Sequence, residues 1–444
     1  MKKKLKPQVM LIYLPPSGGD LFPISLGYIA ASLKRHGIDV ILVDLTVKKP
    51  KSPKQVIDLT KKFQPQIVGF SSCQVNMYKI LAMAKSIKKI SRNIFIILGG
   101  PQATFMPKAA LFEMPPIDAL CRGEGEEVLP LLSECLINGN EMETVKNIAF
   151  KRKGILIDTK QKEFKDDLDN FPSPYQGGIL NFSEHKIGVI LSSRGCSFNC
   201  HFCYTPNAFN HTIRFHSPQR VLEDLEVCVK NNITNFFFAD PSFTFDKERV
   251  IEIMRRIIKK RLKICFWCET RADLVDKDML SIMAKAGART IAYGLETVDK
   301  NVMKAINKKV DLDNFKKVVK ITQGLGIRAE VFTLYGLPKQ TYESSCKTLE
   351  FVKSLNVKII GNSSGQPLAL YFGTKIYDSA KKFGMHFIKK KRPLFLSPAT
   401  EFETEYMDRQ EISLIRKRYK AEQILDRMLL SKEDKHRALY GVSK

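Results

Sequence analysis

The chain has 444 residues, 44% hydrophobic and 27% charged, with a formal net charge of +26. That length suggests two or three domains at roughly 100 to 200 residues each, and no apolar run approaches the ~20 residues a membrane helix needs. The lysines are spread along most predicted helices with no repeated basic and aromatic stripe, so the charge reads as a solvated surface and nucleic acid is not an expected partner.

Met1-Lys2-Lys3-Lys4 precedes an apolar run, Val9 to Leu14, that is too short for a signal peptide and stops at Pro15-Pro16. It reads as a first strand. The ten cysteines cluster only once, which does not suit a secreted disulfide framework; a reducing, cytoplasmic setting is expected.

From Val9 to Ile137, short apolar runs alternate with amphipathic stretches. Predicted strands are Val9 to Leu14, Val40 to Val43, Ile67 to Phe70, Ile94 to Leu98 and Ala119 to Cys121. Predicted helices lie around Leu26 to His36, Val56 to Phe63, Met77 to Ile90 and Val128 to Ile137. The alternation predicts an α/β, doubly wound, Rossmann-like domain over 1–140, with ligands beyond the carboxyl ends of its strands. The loops there are rich in small residues: Pro15 to Gly19, Ser71-Ser72, Gly99-Gly100-Pro101 and Gly123-Glu124-Gly125-Glu126.

Residues 141–185 break the rhythm and read as a linker, with a hairpin around Ile148 to Ile157 and an extended piece at Pro172 and Pro174. A second series follows over 186–395. Its predicted strands lie near Gly188 to Leu191, Asn235 to Ala239, Lys263 to Trp267, Thr290 to Tyr293, Arg328 to Leu334 and Lys358 to Ile360, with helices between them. Six such units predict a partial (β/α)6 barrel, whose chemistry sits on the loops at the strand carboxyl ends. Residues 396–444 read as a short helical tail, with Ile412, Ile415, Tyr419, Leu425 and Met428 as a packing face.

Just after the first barrel strand stands Ser193-Arg194-Gly195-Cys196-Ser197-Phe198-Asn199-Cys200-His201-Phe202-Cys203-Tyr204. Three thiolates in this C-x3-C-x2-C spacing can hold three irons of a cubane and leave the fourth open. Zinc usually takes four ligands in paired C-x2-C units, and His201, between two of the cysteines, is poorly placed to complete a set. Buried structural thiols are the third reading, for which a polar loop offers no packing reason. Cys265 and Cys268 form a second C-x2-C, but on a strand their odd spacing points them to opposite faces. Cys73, Cys121, Cys135, Cys228 and Cys346 stand apart.

The cysteine spacing, with Phe202 before the third thiol, resembles the signature of radical S-adenosylmethionine (SAM) enzymes. Phe238-Ala239-Asp240, Trp267-Cys268-Glu269-Thr270-Arg271, Gly294-Leu295-Glu296 and Leu334-Tyr335-Gly336-Leu337-Pro338 agree with it. The front domain is similar to the cobalamin-binding domain that precedes this barrel in one large subfamily, through Ile67-Val68-Gly69-Phe70-Ser71, Leu98 to Thr104 and Cys121 to Glu126.

The resemblance implies a [4Fe-4S] cluster on Cys196, Cys200 and Cys203, whose open iron chelates SAM and whose electron cleaves it to a 5′-deoxyadenosyl radical. It implies SAM contacts from Phe202, Asp240, Arg271, Glu296, Gly336 and Pro338, with carboxylates for the ammonium and Arg271 for the carboxylate. Cobalamin would lie across Ser71, Ser72, Gly99, Gly100, Gly123 and Glu124. Well-known cobalamin domains carry an Asp-x-His-x-x-Gly motif, whereas Asp44-Leu45-Thr46-Val47 offers no histidine, so binding without a histidine ligand is implied. The implied activity is methylation of an unactivated carbon or phosphorus centre in a small molecule or natural product, fed by an external flavodoxin- or ferredoxin-type donor. Radical cyclisation, oxidation or rearrangement, with cobalamin in a non-methylating role or absent, is the alternative, tRNA methylthiolation suits the isolated front-domain cysteines less well, and a non-catalytic iron–sulfur sensor would not need the rim motifs.

Overall fold

The computed structural model describes residues 8–15, 21–46, 53–159, 167–359, 364–388 and 392–428. It divides into two compact units, Met1–Ile187 with Lys391–Ser397, and Gly188–Lys390 with Pro398–Lys444.

The first unit is built on β1 (Val9–Tyr13), β2 (Val40–Asp44), β3 (Ile67–Ser71), β4 (Phe95–Gly99), β5 (Ala119–Cys121), β6 (Ile148–Arg152) and β7 (Ile155–Asp158), in the order β2-β1-β3-β4-β5-β6-β7. The first five are parallel, and their runs are apolar almost throughout because helices cover both faces. On one face Val9, Leu11, Ile67 and Ile97 pack with Leu26 and Leu33 of α1 (Ile24–Arg35) and with Leu129 and Leu132 of α6 (Gly125–Asn138). Each such fully buried side chain contributes about 1.5–3 kcal/mol. The other helices of this unit are α2 (Pro53–Phe63), α3 (Met77–Ile90), α4 (Gly100–Phe105) and α5 (Ala110–Glu113).

Two features differ from the sequence reading. The hairpin assigned to the linker is β6 and β7, which pair antiparallel onto β5 and extend the front sheet. The short helices α4 and α5 were not foreseen. Pro16 to Gly19 of the first loop lies outside the described residues.

The second unit holds a six-stranded parallel sheet, β15-β14-β13-β12-β11-β8. Its strands are β8 (Ile187–Ile190), β11 (Asn235–Phe238), β12 (Cys265–Thr270), β13 (Ala288–Glu296), β14 (Arg328–Tyr335) and β15 (Gln366–Pro367). A separate antiparallel pair, β9 (Ser193–Gly195) and β10 (Ile213–Phe215), follows β8. The covering helices are α8 (Pro218–Lys230), α9 (Lys247–Lys259), α10 (Lys277–Lys285), α11 (Lys300–Ala305), α12 (Leu312–Gly324) and α13 (Tyr342–Ser354), with the single-turn α7 (Thr205–Ala208) and α14 (Lys375–Asp378). Ser217, Asp246, Asp276, Asp299, Asp311 and Thr341 cap α8 to α13 through their side chains. A cap of this kind contributes about 1 kcal/mol and fixes where each loop hands over to its helix.

The sixth strand is β15, not Lys358 to Ile360. The amide of Ile359 donates to Asp426 Oδ2 at 2.6 Å and Lys358 pairs with Asp426, so this segment is held by the C-terminal helix α15 (Arg409–Met428) instead of a ladder. Ile360 lies outside the described residues. The tail is not wholly helical, since β17 (Phe402–Thr404) pairs antiparallel with β16 (Met385–Phe387) before α15 begins. Tyr419 of α15 is fully buried, stacked on Tyr335 with ring centroids 6.1 Å apart.

Candidate active site and cofactor cradle

The three cysteines lie on the loop between β9 and α7, at the carboxyl end of the barrel sheet. The β9 and β10 ladder lifts this loop. Gly195, directly before Cys196, has φ +90°, and a Cβ there would sit 2.0 Å from the carbonyl oxygen of Thr212, so only glycine passes. Below it, Asp240 accepts hydrogen bonds from Ser193 Oγ at 2.5 Å and Ser192 Oγ at 3.1 Å, while Arg249 donates to the carbonyls of Ser192 and His216. The other end of the loop is tied to α11 and the turn after it: His201 donates from its amide to the carbonyl of Ile306, and Asn307 Nδ2 donates to that of Asn199. Phe202 packs with Val302, Ile306 and Leu337.

The thiols are half-buried. Burial pushes Cys200 up to about 11 against the pull of Lys308, with Cys203 raising it further; Cys196 is likewise raised by burial and by Cys203. The thiols therefore share one electrostatic site, and a bound metal would ligate them as thiolates. Among the described residues no three His, Cys, Asp or Glu side chains converge on a single-ion position. A cubane takes one thiolate at each of three irons, and three half-buried thiols within eight residues of one loop supply that donor set. His201 is excluded as a ligand through Nδ1, which is 2.9 Å from the carbonyl of Ala305 and donates to it.

Glu296 and Lys308 form a buried pair beside the thiols, Nζ to Oε1 2.8 Å, with both side chains under a tenth exposed. Glu296 has φ +67°, a conformation that costs a non-glycine residue about 1–3 kcal/mol and gathers at functional sites. Lys308 was missed in the sequence, although its ammonium lies 5.8 Å over the Phe202 ring. Arg271 stacks at 4.1 Å on Phe198 of the cysteine loop, and its guanidinium is held by Asp273 at 2.7 and 2.8 Å. Asp240 departs from its expected role: it is 2% exposed, burial pushes it up to about 6, and the two serines occupy its oxygens, so it braces the loop from below. Gly336 to Pro338 form a turn locked by Gln340, whose Oε1 accepts from the amide of Leu337 and whose Nε2 donates to the carbonyl of Leu334. Cys265 and Cys268 do face opposite sides, the first half-exposed and the second fully buried.

In the front unit, the expected cobalamin residues gather at the carboxyl ends of β3, β4 and β5. Gly100 has φ +87°, and a Cβ there would meet the Ser72 carbonyl oxygen at 2.7 Å and Ser71 Oγ at 3.2 Å, so the close approach of the loops after β3 and β4 requires glycine. Thr104 Oγ1 donates to the Gly100 carbonyl and accepts from the Gly123 amide, and Arg122 clamps the carbonyls of Ala103, Thr104 and Met106. These two residues tie the β4 and β5 loops into one rim. Ser72 is not free to contact a ligand: it is 1% exposed and its hydroxyl donates to the Gly99 carbonyl at 2.7 Å. Ser71 and Glu124 remain on the rim, Glu124 as the N-terminal cap position of α6. At the end of β2, Asp44 pairs with buried His185 at 2.9 Å and accepts from Thr46, so its carboxylate is used in packing.

Residues 10–133 match the B12 binding domain family and residues 190–352 the radical SAM superfamily. The chain belongs to the radical SAM enzymes that carry a cobalamin-binding domain. It is 29% identical over 390 residues to Uncharacterized methyltransferase PH0819 of Pyrococcus horikoshii, covering 85% of this chain and 84% of that one. It is also 29% identical to the anaerobic magnesium-protoporphyrin IX monomethyl ester cyclase of Rubrivivax gelatinosus, over 76% of this chain and 63% of the cyclase. Its fold matches that of the radical SAM methyltransferase TsrM from Kitasatospora setae, with cobalamin and a [4Fe-4S] cluster bound, at a TM-score of 0.77 and 16% identity, over 97% of this chain and 90% of TsrM. As a radical SAM enzyme with this front domain, the chain has a [4Fe-4S] cluster, SAM and cobalamin as its cofactors. No helix among the described residues is long and apolar enough to cross a membrane.

Proposed function

We propose that this enzyme methylates an unactivated carbon or phosphorus centre of a small molecule, with residues 1–140 binding cobalamin, 186–395 binding SAM, and a flavodoxin- or ferredoxin-type protein supplying electrons. The supporting observation is that one chain carries both a three-thiol loop at the rim of the barrel sheet and a front-domain loop that only Gly100 can form. When bound, the cluster supplies the open iron and electron for SAM cleavage, and cobalamin supplies a methyl carrier.

The chain's own residues do the positioning. Glu296, held by Lys308, accepts from the SAM ammonium, and Arg271, spread over Phe198, faces the SAM carboxylate. Phe202 and the Gly336 to Pro338 turn flank the adenine. Ser71, Gly99, Gly100, Gly123 and Glu124 take the edge of the corrin. Asp240 and Arg249 brace the cysteine loop.

The cyclase relative favours a second reading, radical cyclisation or oxidation with no methyl transferred. Product mass separates the two. Incubating the anaerobic, cobalamin-loaded enzyme with SAM carrying a deuterated methyl group and a cell extract of small molecules is expected to yield a product bearing that label. A product transformed without the label supports cyclase-type chemistry.

A further inference from the structure

Helix α15 packs through one side, where Ile415 and Tyr419 are buried, and leaves the opposite side bare. There Leu414, Ile424, Leu425 and Met428 are between 48% and 72% exposed. Every other helix among the described residues exposes at most one large apolar side chain, so the cluster is particular to α15. At about 3.6 residues per turn, Leu414, Ala421, Leu425 and Met428 fall within about 40° of one line along the helix, and Ile424 borders it.

The charges of the helix are sorted by side. From Leu414 to Met428 its acids are Glu422 and Asp426, and both turn inward. Glu422 pairs with Lys353 at 2.8 Å; Asp426 pairs with Lys358 at 3.6 Å and accepts from the amide of Ile359 at 2.6 Å. Lys417 and Lys420 stand exposed along one flank of the apolar line and Arg418 along the other, and no carboxylate of this stretch shares their side. The outer face is therefore apolar along its middle and cationic along both flanks.

We infer that this face docks on the surface of an anionic lipid bilayer, with Leu414, Ile424, Leu425 and Met428 entering the boundary between headgroups and acyl chains and Lys417, Arg418 and Lys420 set on the lipid phosphates. A bilayer accepts both features at once: aliphatic side chains enter it singly, and lysine stems lie along apolar surroundings while their ammonium groups reach the headgroups. A protein partner fits less well, because interface cores favour aromatic anchors and are depleted in lysine, whereas this line holds no aromatic and runs beside Lys417. A second copy of the helix would set cation against cation. No helix among the described residues can cross a membrane, so the contact is with one leaflet. The inference stands apart from the proposed reaction.

The full-length protein, loaded with cluster and cobalamin, is sedimented with vesicles of phosphatidylcholine alone and of phosphatidylcholine and phosphatidylglycerol in equal parts. The mixed vesicles are expected to hold it about tenfold or more tightly, a gain that shrinks as salt is raised. Ile424→Ser with Leu425→Ser keeps every charge and alters only exposed positions, so the protein stays folded; its binding to the mixed vesicles is expected to fall about tenfold. Lys417→Gln with Lys420→Gln should weaken binding about tenfold as well, at about fivefold for each cation. Lys61→Gln with Lys62→Gln, which removes the same charge from exposed positions of α2, should leave it unchanged. An equal loss from the α2 pair overturns the inference, since it would reduce the binding to the general attraction of a basic protein. Undiminished binding of the serine variant, or no preference for the mixed vesicles, overturns it too, and a dimer that the serine variant dissolves would give the face to a second copy.

Discussion

Lys308 Nζ lies 2.8 Å from Glu296 Oε1 in a buried pair adjoining the cysteine loop, and the lysine reaches over Phe202 to lower the charge cost at Cys200. A strand end in a strained conformation and a loop twelve residues on are thereby joined to the cluster site.

Removing one partner of this pair strands the other charge. Lys308→Met is expected to destabilise the protein by about 3–5 kcal/mol in urea unfolding, and the double variant Lys308→Met with Glu296→Gln to recover most of it. A single variant as stable as the parent would show that solvent reaches the pair.

Glu269 gives a pH signature. Its carboxyl is raised to about 7 from 4.5, so between those values the folded protein holds a proton that the unfolded chain has released. Stability from this group is intact below about pH 4.5 and falls as pH rises through 7. Glu269→Gln should therefore match the parent at pH 4 and exceed it by about 1–3 kcal/mol at pH 8, read from chemical denaturation without ligands. A difference of the opposite sign at pH 8 would mean the ionised carboxylate is stabilised.

On the front unit, Gly100 carries the test. Gly100→Val would force a Cβ into the Ser72 carbonyl at a left-handed position, a strain of about 1–3 kcal/mol. Retention of hydroxocobalamin is expected to fall about tenfold or more, with cluster iron unchanged. Undiminished corrin content would move the cobalamin rim elsewhere.

Much of this was legible before the structure. The apolar runs of β1 to β5 and the alternation of β12 and β14 declare their burial, and Cys196, Cys200 and Cys203 stand together in eight residues. What escaped was set by tertiary pairing. The hairpin β6 and β7 resembles a linker because its outer strand, Ile155–Asp158, is largely exposed and packs little. β15 is two residues long, too short to show a period. Ser71 and Ser72 look alike in sequence, yet only the backbone path shows that the second turns inward to Gly99. Asp240 looked like a ligand contact because nothing in sequence shows that Ser192 and Ser193 reach it. Lys308 found its partner only through the bulge at Gly294 to Glu296.

Cluster-dependent cleavage of SAM at the three-thiol loop is tested by purifying the wild type and Cys200→Ala without oxygen, reconstituting both, and measuring iron, sulfide, zinc and 5′-deoxyadenosine after reduction with SAM. The wild type is expected to hold one [4Fe-4S] cluster and to form deoxyadenosine, and Cys200→Ala to fold and yield no deoxyadenosine. Zinc in place of iron, or deoxyadenosine formed by the variant, would contradict cleavage at this loop.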